Sequence, residues 1–192
     1  MSYAYVCIYS RVDNSLFLIR KKVYGLFFNY EYVGNIEGDV LKFSGQYLLP
    51  GGRTDQESAE DILNITKDAL RGFEKQTGFQ LSAKLLDKKV KSFSHDGTVQ
   101  QSGVIAYHCL YIHMTPKQIS VLTDAVTVNL NKTYEQRRQM GMDDELEAVM
   151  IDDIAKAREH LVTFNRAWAS PDYGKRESDK SLFAHIVDNL PA

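Results

Sequence analysis

Cysteine is scarce in this chain, neither sign of charge is in excess, and long apolar runs are missing altogether. Only two cysteines occur among the 192 residues. Cys7 and Cys109 each lie inside an apolar, strand-like run with no neighbour at metal-ligand spacing, which argues against a zinc site or a disulfide framework. Both are read as buried thiols of a reducing compartment. Lysine and arginine total 23 against 25 aspartates and glutamates, and the longest basic run is Arg20-Lys21-Lys22. Nucleic acid is therefore not the expected partner. No segment approaches the ~20 apolar residues of a membrane helix, and the first apolar run is broken by Arg11 and Asp13. The expectation is a cytoplasmic single domain over residues 1–192, without a membrane partner. Internal repeats and low-complexity tracts are absent.

What is present is a succession of short apolar segments. Tyr3 to Tyr9 suits a strand buried on both faces, and Leu16 to Arg20 returns as a hairpin after the Asp13-Asn14-Ser15 turn. Residues 21–44 lose this regularity and crowd with aromatics, among them Tyr24, Phe27, Phe28 and Phe43. That stretch reads as a long loop or an extra hairpin. The alternatives are an aromatic wall for a planar base or the surface of a homodimer. Val90 to His95 is a strand, Asp96-Gly97 a hairpin turn, and Gly103 to Met114 the returning strand. His108 and His113 stand an odd number of residues apart, so they face opposite sides and cannot share a metal.

Pro116 opens a helix expected over 117–125, and 129–142 has the polar look of a loop. Glu145 to Ile151 makes a last strand, and Asp152 is placed to cap a helix from Ile154 to about Val162. Leu182, Phe183, Ile186, Val187 and Leu190 give a final amphipathic helix over 180–190. The order β-β-β-α-β-β-α-β-α, with that helix appended, predicts an α/β (α+β) fold. A mixed β-sheet is sandwiched between helices, with its core over about 3–162 and an extension over about 163–192.

The chain is organised around Gln46 to Phe79. A short strand over 47–49 ends at Pro50-Gly51-Gly52, since Pro50 cannot donate to a ladder and glycine reaches backbone angles closed to other residues. An apolar stripe at helical spacing, Ile62, Ile65, Thr66, Ala69, Phe73 and Thr77, predicts a helix from Glu57 to Gln76, with Leu63 and Leu70 widening it. Ser58 is placed to cap its start and Gly78 to end it in a left-handed turn. Glu57, Glu60 and Asp61 stand at i, i+3 and i+4, which on a helix is one face. They are candidate ligands for Mg²⁺, or Mn²⁺ in its place, beside the Gly51 carbonyl. Acidic residues also crowd a first turn simply because they complement its dipole. Arg53, just after the glycines, is a candidate grip on a phosphate.

This unit resembles the Nudix (MutT-like) hydrolase superfamily. That family's signature runs Gly, five residues, Glu, seven residues, then Arg-Glu-apolar-x-Glu-Glu-x-Gly-apolar. The Leu48–Gly52 entry is present, and Arg71, Phe73, Gly78 and Phe79 keep the mutual spacing of the exit. The run from Asp143 to Ile154 is similar to the family's last strand and following helix. The resemblance covers about 3–162 and implies a pyrophosphohydrolase acting on nucleoside-diphosphate-type substrates with divalent cations held by three glutamates. Counting back from Gly78, those glutamate positions hold Gly72, Lys75 and Gln76. From Gly52 to Arg71 the signature takes fourteen steps and this chain nineteen.

Three readings follow. The first is a Nudix-like domain that binds a nucleotide-like ligand at Gly51, Gly52, Arg53 and Arg71 with weak or no magnesium-dependent hydrolysis. The second is an active pyrophosphohydrolase using relocated carboxylates, with Glu57, Glu60 and Glu145 as catalytic candidates and Gly51, Glu57, Glu60 and Asp61 on the metal. The third is a protein-interaction module that dimerises through its aromatic insertion.

Overall fold

The computed structural model describes residues 2–26, 39–41, 45–54, 61–82, 87–95, 105–162 and 177–191. At its centre is β1 (Ser2–Ser10), whose alternation of tyrosines with Val6, Cys7 and Ile8 suits burial on both faces. One edge of β1 pairs in parallel with β7 (Ile105–His113) over eight residues, from Ser2 opposite Ala106 to Tyr9 opposite His113. β6 (Asp87–His95) pairs antiparallel on the far side of β7.

The other edge of β1 is shared. Its last residues pair with β2 (Ser15–Leu26), Tyr9 opposite Leu16, while its first residues pair with β5 (Gly51–Arg53), Tyr5 opposite Gly51. The hairpin strands thus splay like a fork, and the segment around Pro50 fills it. β4 (Tyr47–Leu48) lies on β2, with Leu48 opposite Ile19, and β5 crosses to β1. β2 also pairs with β8 (Asp144–Asp153) and, at Tyr24 and Gly25, with β3 (Asp39–Val40).

Helices cover both faces. Phe17 lies on the face opposite Tyr9, because its neighbour Leu16 is the residue paired with Tyr9. Its ring sits 6.1 Å from that of Phe73 on α1 (Ile62–Thr77). Tyr5 and Tyr111 occupy the other face. There the Tyr5 ring meets Phe183 of α5 (Glu177–Asp188) at 5.1 Å, and the Tyr111 hydroxyl donates to the Ile186 carbonyl at 2.7 Å. α4 (Ile154–Val162) joins α5 through a bidentate Arg158–Asp188 pair at 2.7 and 2.9 Å. The buried cluster runs from Ala4 to Val187 and so includes the C-terminal helix. Cys7 and Cys109 are free and fully buried, and burial together with the adjacent Cys7 thiol pushes the Cys109 thiol upward. Among the described residues no helix is long and apolar enough to cross a membrane.

The mixed α/β architecture is the expected one, with several local corrections. Residues 129–142 are not a loop. α2 (Pro116–Leu130), with Thr115 in a capping box, runs past Ala125, and α3 (Tyr134–Gln139) follows with Thr133 in a second box. Polarity misled there because α3 is a largely exposed helix. Asp153, rather than Asp152, accepts from the Ala155 amide at the start of α4. The described part of the β6–β7 hairpin ends with His95 opposite Ile105, and the turn expected at Asp96-Gly97 lies outside the described residues. Residues 21–26 continue β2 and pair with β3, an extra hairpin. Phe27, Phe28 and Phe43 lie outside the described residues, as does the proposed cap Ser58.

Candidate functional site

A cleft of about 210 Å³ lies where α1 crosses the glycine turn. Gly51 has φ 138°, and a Cβ there would sit 2.2 Å from the Ala4 carbonyl oxygen and 2.7 Å from the Tyr5 Cα. Only glycine lets β5 lie this close to β1. The helix approaches from above at its own glycine, where a Cβ on Gly72 would stand 3.4 Å from the Gly51 Cα. A longer side chain at 72 would extend over the turn.

Gln76 belongs to the buried stripe of α1, beside Phe73 and Thr77. Its side-chain amide grips both polar groups of one residue. The Gly51 N–H donates to Oε1 at 2.9 Å, and Nε2 donates to the Gly51 carbonyl at 3.1 Å. The end of the helix is fixed as well. Gly78 caps it at φ 65°, and the Asn129 amide of α2 donates to the Thr77 and Gly78 carbonyls at 3.2 and 3.0 Å. The Asp143 amide then donates to the Lys75 carbonyl at 2.7 Å, which ties the entry of β8 to the same turn of helix.

Four cationic side chains line the cleft, Lys21, Arg53, Arg71 and Lys75, against three carboxylates, Asp68, Asp143 and Glu145. Glu145 and Asp68 each meet a cation of the same cleft. Glu145 meets the Lys21 ammonium at 2.5 Å, the two side chains only 5% and 12% exposed, and Arg71 reaches Asp68 at 2.9 Å along its own helix. Asp144 is drawn away from the cleft by Lys22 at 2.5 Å and Arg137 at 2.9 Å. A register shift between the Arg20–Ala148 and Lys21–Leu146 pairs leaves Glu147 as an extra residue. Its carboxylate is half-exposed, 3.6 Å from Arg20.

The predicted site residues therefore divide. Gly51, Gly52, Arg53, Arg71 and Glu145 converge on one cleft. Asp61 does not join them as a helical ligand. Its backbone is extended (φ −84°, ψ 115°), and it is itself the N-cap of α1, its carboxylate accepting from the Leu63 amide at 2.9 Å. The expected helical face shared by Glu57, Glu60 and Asp61 is thus broken at Asp61, and Ile62 and Leu63, assigned to the apolar stripe, are exposed. Glu57 and Glu60 lie outside the described residues. Lys21 was missed, because it stands where the sequence turns irregular. Its signal was only its place in the basic run before the aromatics.

The described donors of this cleft do not by themselves fit a divalent cation. Among the described residues no three His, Cys, Asp or Glu side chains come together as metal ligands. Hard cations want several oxygens, preferably charged. Here Gln76 already binds the Gly51 carbonyl, the Glu145 charge is matched by Lys21, and the Lys75 side chain lines the same cleft. An ammonium a few ångström from Mg²⁺ opposes it by several kcal/mol, on the order of 5, at an effective dielectric of ~20.

No family model matches the chain, and no curated protein is detectably similar to it. Among solved structures it is similar to an Ap4A hydrolase of C. elegans in a binary complex, with 12% identity over 98% of each chain and a TM-score of 0.41. It is also similar to the dihydroneopterin triphosphate pyrophosphohydrolase of E. coli, with 10% identity over 98% of this chain and 96% of that one and a TM-score of 0.46. A Nudix hydrolase from M. smegmatis, RenU, shows 9% identity over 100% of this chain and 86% of its own, with a TM-score of 0.45. At such identities the chemistry has to be read from this chain's own residues.

Proposed function

We propose that this chain is a Nudix-type domain whose cleft binds the phosphate-bearing part of a nucleotide or nucleoside-diphosphate-type ligand, with weak or no magnesium-dependent hydrolysis. The observation that carries the reading is the Gln76 clamp on Gly51. At the position where the resemblance implies a metal-binding glutamate, this chain has a neutral amide that holds the turn directly. Lys75 and Gly72 replace the other two oxygens expected there. What lines the cleft instead is an excess of cations beside a glycine turn, a combination suited to an anion. Arg53, exposed at the end of β5, is the side chain best placed to meet a phosphate from solvent. Arg71, ion-paired with Asp68, lines the wall.

Calorimetry tests this directly. Mg²⁺ and Mn²⁺ are titrated first, then ADP-ribose, a dinucleoside polyphosphate and a nucleoside triphosphate, each with and without a chelator. The expected result is no tight metal site, ligand binding that survives chelation, and at most slow phosphate release. Installing Gly72→Glu, Lys75→Glu and Gln76→Glu together is expected to create metal binding. Robust metal-dependent turnover by the unaltered protein, lost in a Glu57→Gln, Glu60→Gln variant, would overturn the proposal in favour of relocated carboxylates.

A further inference from the structure

A second cavity, of about 340 Å³, opens at the opposite end of the central strands and shares no lining residue with the cleft. That volume falls within the ~300–1,000 Å³ of small-molecule sites. Sheet register brings its walls together. The parallel pairing sets Tyr9 beside His113, and the antiparallel pairing sets Asp87 opposite His113 and Lys89 opposite Tyr111. Pro191, beyond α5, closes one side. The Tyr9 and His113 rings pack at 5.5 Å, tilted by 58°; Tyr9 is buried, and the partly exposed His113 ring presents the accessible surface.

Charge around this cavity is one-sided. Among the described residues Arg11, Lys88 and Lys89 line it against a single carboxylate, Asp87, which stands 3.8 Å from His113 and is largely exposed. Arg11 is held in place before any ligand arrives. Its Nη2 donates to the Pro191 carbonyl at 2.7 Å and the Leu190 carbonyl at 3.3 Å, and the guanidinium lies over the Tyr9 ring at 5.5 Å. Both bonds leave from one nitrogen of a group that carries five N–H donors. A cation fixed in advance loses less freedom when an anion binds. Burial pushes the Tyr9 phenol upward in spite of the nearby Arg11, and its hydroxyl donates to the Pro191 carbonyl at 3.5 Å.

Lysines on an edge strand also discourage sheets from pairing, and β6 ends the strand order of this sheet. That accounts for Lys88 and Lys89. It does not account for a guanidinium anchored by two carbonyls over an aromatic ring at the mouth of a half-open cavity. We propose that this cavity is a second ligand site for a small organic anion, with a flat ring against His113 and a phosphate or carboxylate facing Arg11 and Lys89.

Amide NMR shifts of the full chain test the proposal, with phenyl phosphate, benzoate, inorganic phosphate and phenol titrated separately at low ionic strength. Saturable shifts are expected at residues 9–11, 87–89 and 111–113 with phenyl phosphate or benzoate, the tighter of the two identifying the head group. Phosphate and phenol, each lacking half of the recognised chemistry, are expected to bind about tenfold more weakly. Lys88→Gln with Lys89→Gln, on the accessible strand edge, is expected to weaken the tighter probe by about tenfold or more. Arg11→Gln is expected to do the same, with its melting temperature checked because Arg11 also anchors the C-terminal residues. Absence of saturable shifts, shifts centred on Gly51 and Gly72 instead, or unchanged affinity in the double-lysine variant would overturn the assignment.

Discussion

Gln76→Ala isolates what the amide clamp contributes. The substitution removes partners at 2.9 and 3.1 Å from the Gly51 amide and carbonyl. Gly51 cannot drift toward new partners, because it is held in register with Tyr5 at a φ of 138°. Two hydrogen bonds of ~1 kcal/mol each and one lost methylene sum to about 3 kcal/mol. For a chain of this size that corresponds to a melting temperature lower by about 6–12 °C. Urea unfolding should show the midpoint fall with the slope unchanged. Gln76→Glu sharpens the test. A carboxylate keeps the acceptor for the Gly51 N–H but sets an anionic oxygen against the Gly51 carbonyl, so its folded-state pKa should lie above that of the unfolded chain. The variant should therefore lose stability as pH rises through that raised pKa and regain it on acidification. A loss below about 0.5 kcal/mol in Gln76→Ala, the range of an ordinary surface change, would refute the idea that the amide holds the turn.

Other consequences are equally measurable. Glu145→Leu leaves the Lys21 ammonium buried without its partner at 2.5 Å, and should cost about 3 kcal/mol in urea, whereas Lys21→Met combined with Glu145→Leu should recover most of it. Additive losses in the double variant would contradict that. Burial holds the His108 imidazole below its ordinary 6.5, while Ser92 Oγ meets its Nδ1 at 2.9 Å. The unfolded chain then takes up the proton first, so stability should fall as pH drops below about 6.5. That fall should be shallower in His108→Gln, and equal slopes would exclude the histidine as its source. Gly51→Ala, whose methyl would meet the Ala4 carbonyl oxygen at 2.2 Å, should fail to give native near-ultraviolet dichroism. A folded Gly51→Ala protein would show that β5 can move away from β1.

Much of the scaffold was legible from local pattern. The run from Tyr3 to Tyr9 reads as a doubly buried strand because its apolar character does not alternate, and Thr115-Pro116 announces a helix start by cap chemistry. Gly78 ends α1 as its position promised. What local pattern could not supply was any partner set by register. Nothing in the polar sequence 129–142 distinguishes a loop from α3, whose capping box is satisfied by Gln136 but whose outer surface carries no apolar stripe. Among cleft residues, Gly51 was found by the Pro-Gly-Gly turn, Arg53 by its place just after the glycines and Arg71 by its spacing from Phe73 and Gly78. Lys21 was not, since it reaches Glu145 only after β2 and β8 have paired across a bulge. Gln76 looked like the loss of a ligand. Its use as a clamp became visible once Gly51 lay beneath it.

The parallel seam between β1 and β7 also constrains how this chain can be made. β1 leaves a ribosome about a hundred residues before its neighbour along most of its length, which runs from Ile105 to His113. Its second face waits longer still, until Phe183 arrives against Tyr5. Contacts so distant in sequence close slowly. Until those partners are made, the nascent chain carries the apolar surface of β1 uncovered, and a chaperone that shields extended apolar segments would find a substrate in Tyr3 to Tyr9.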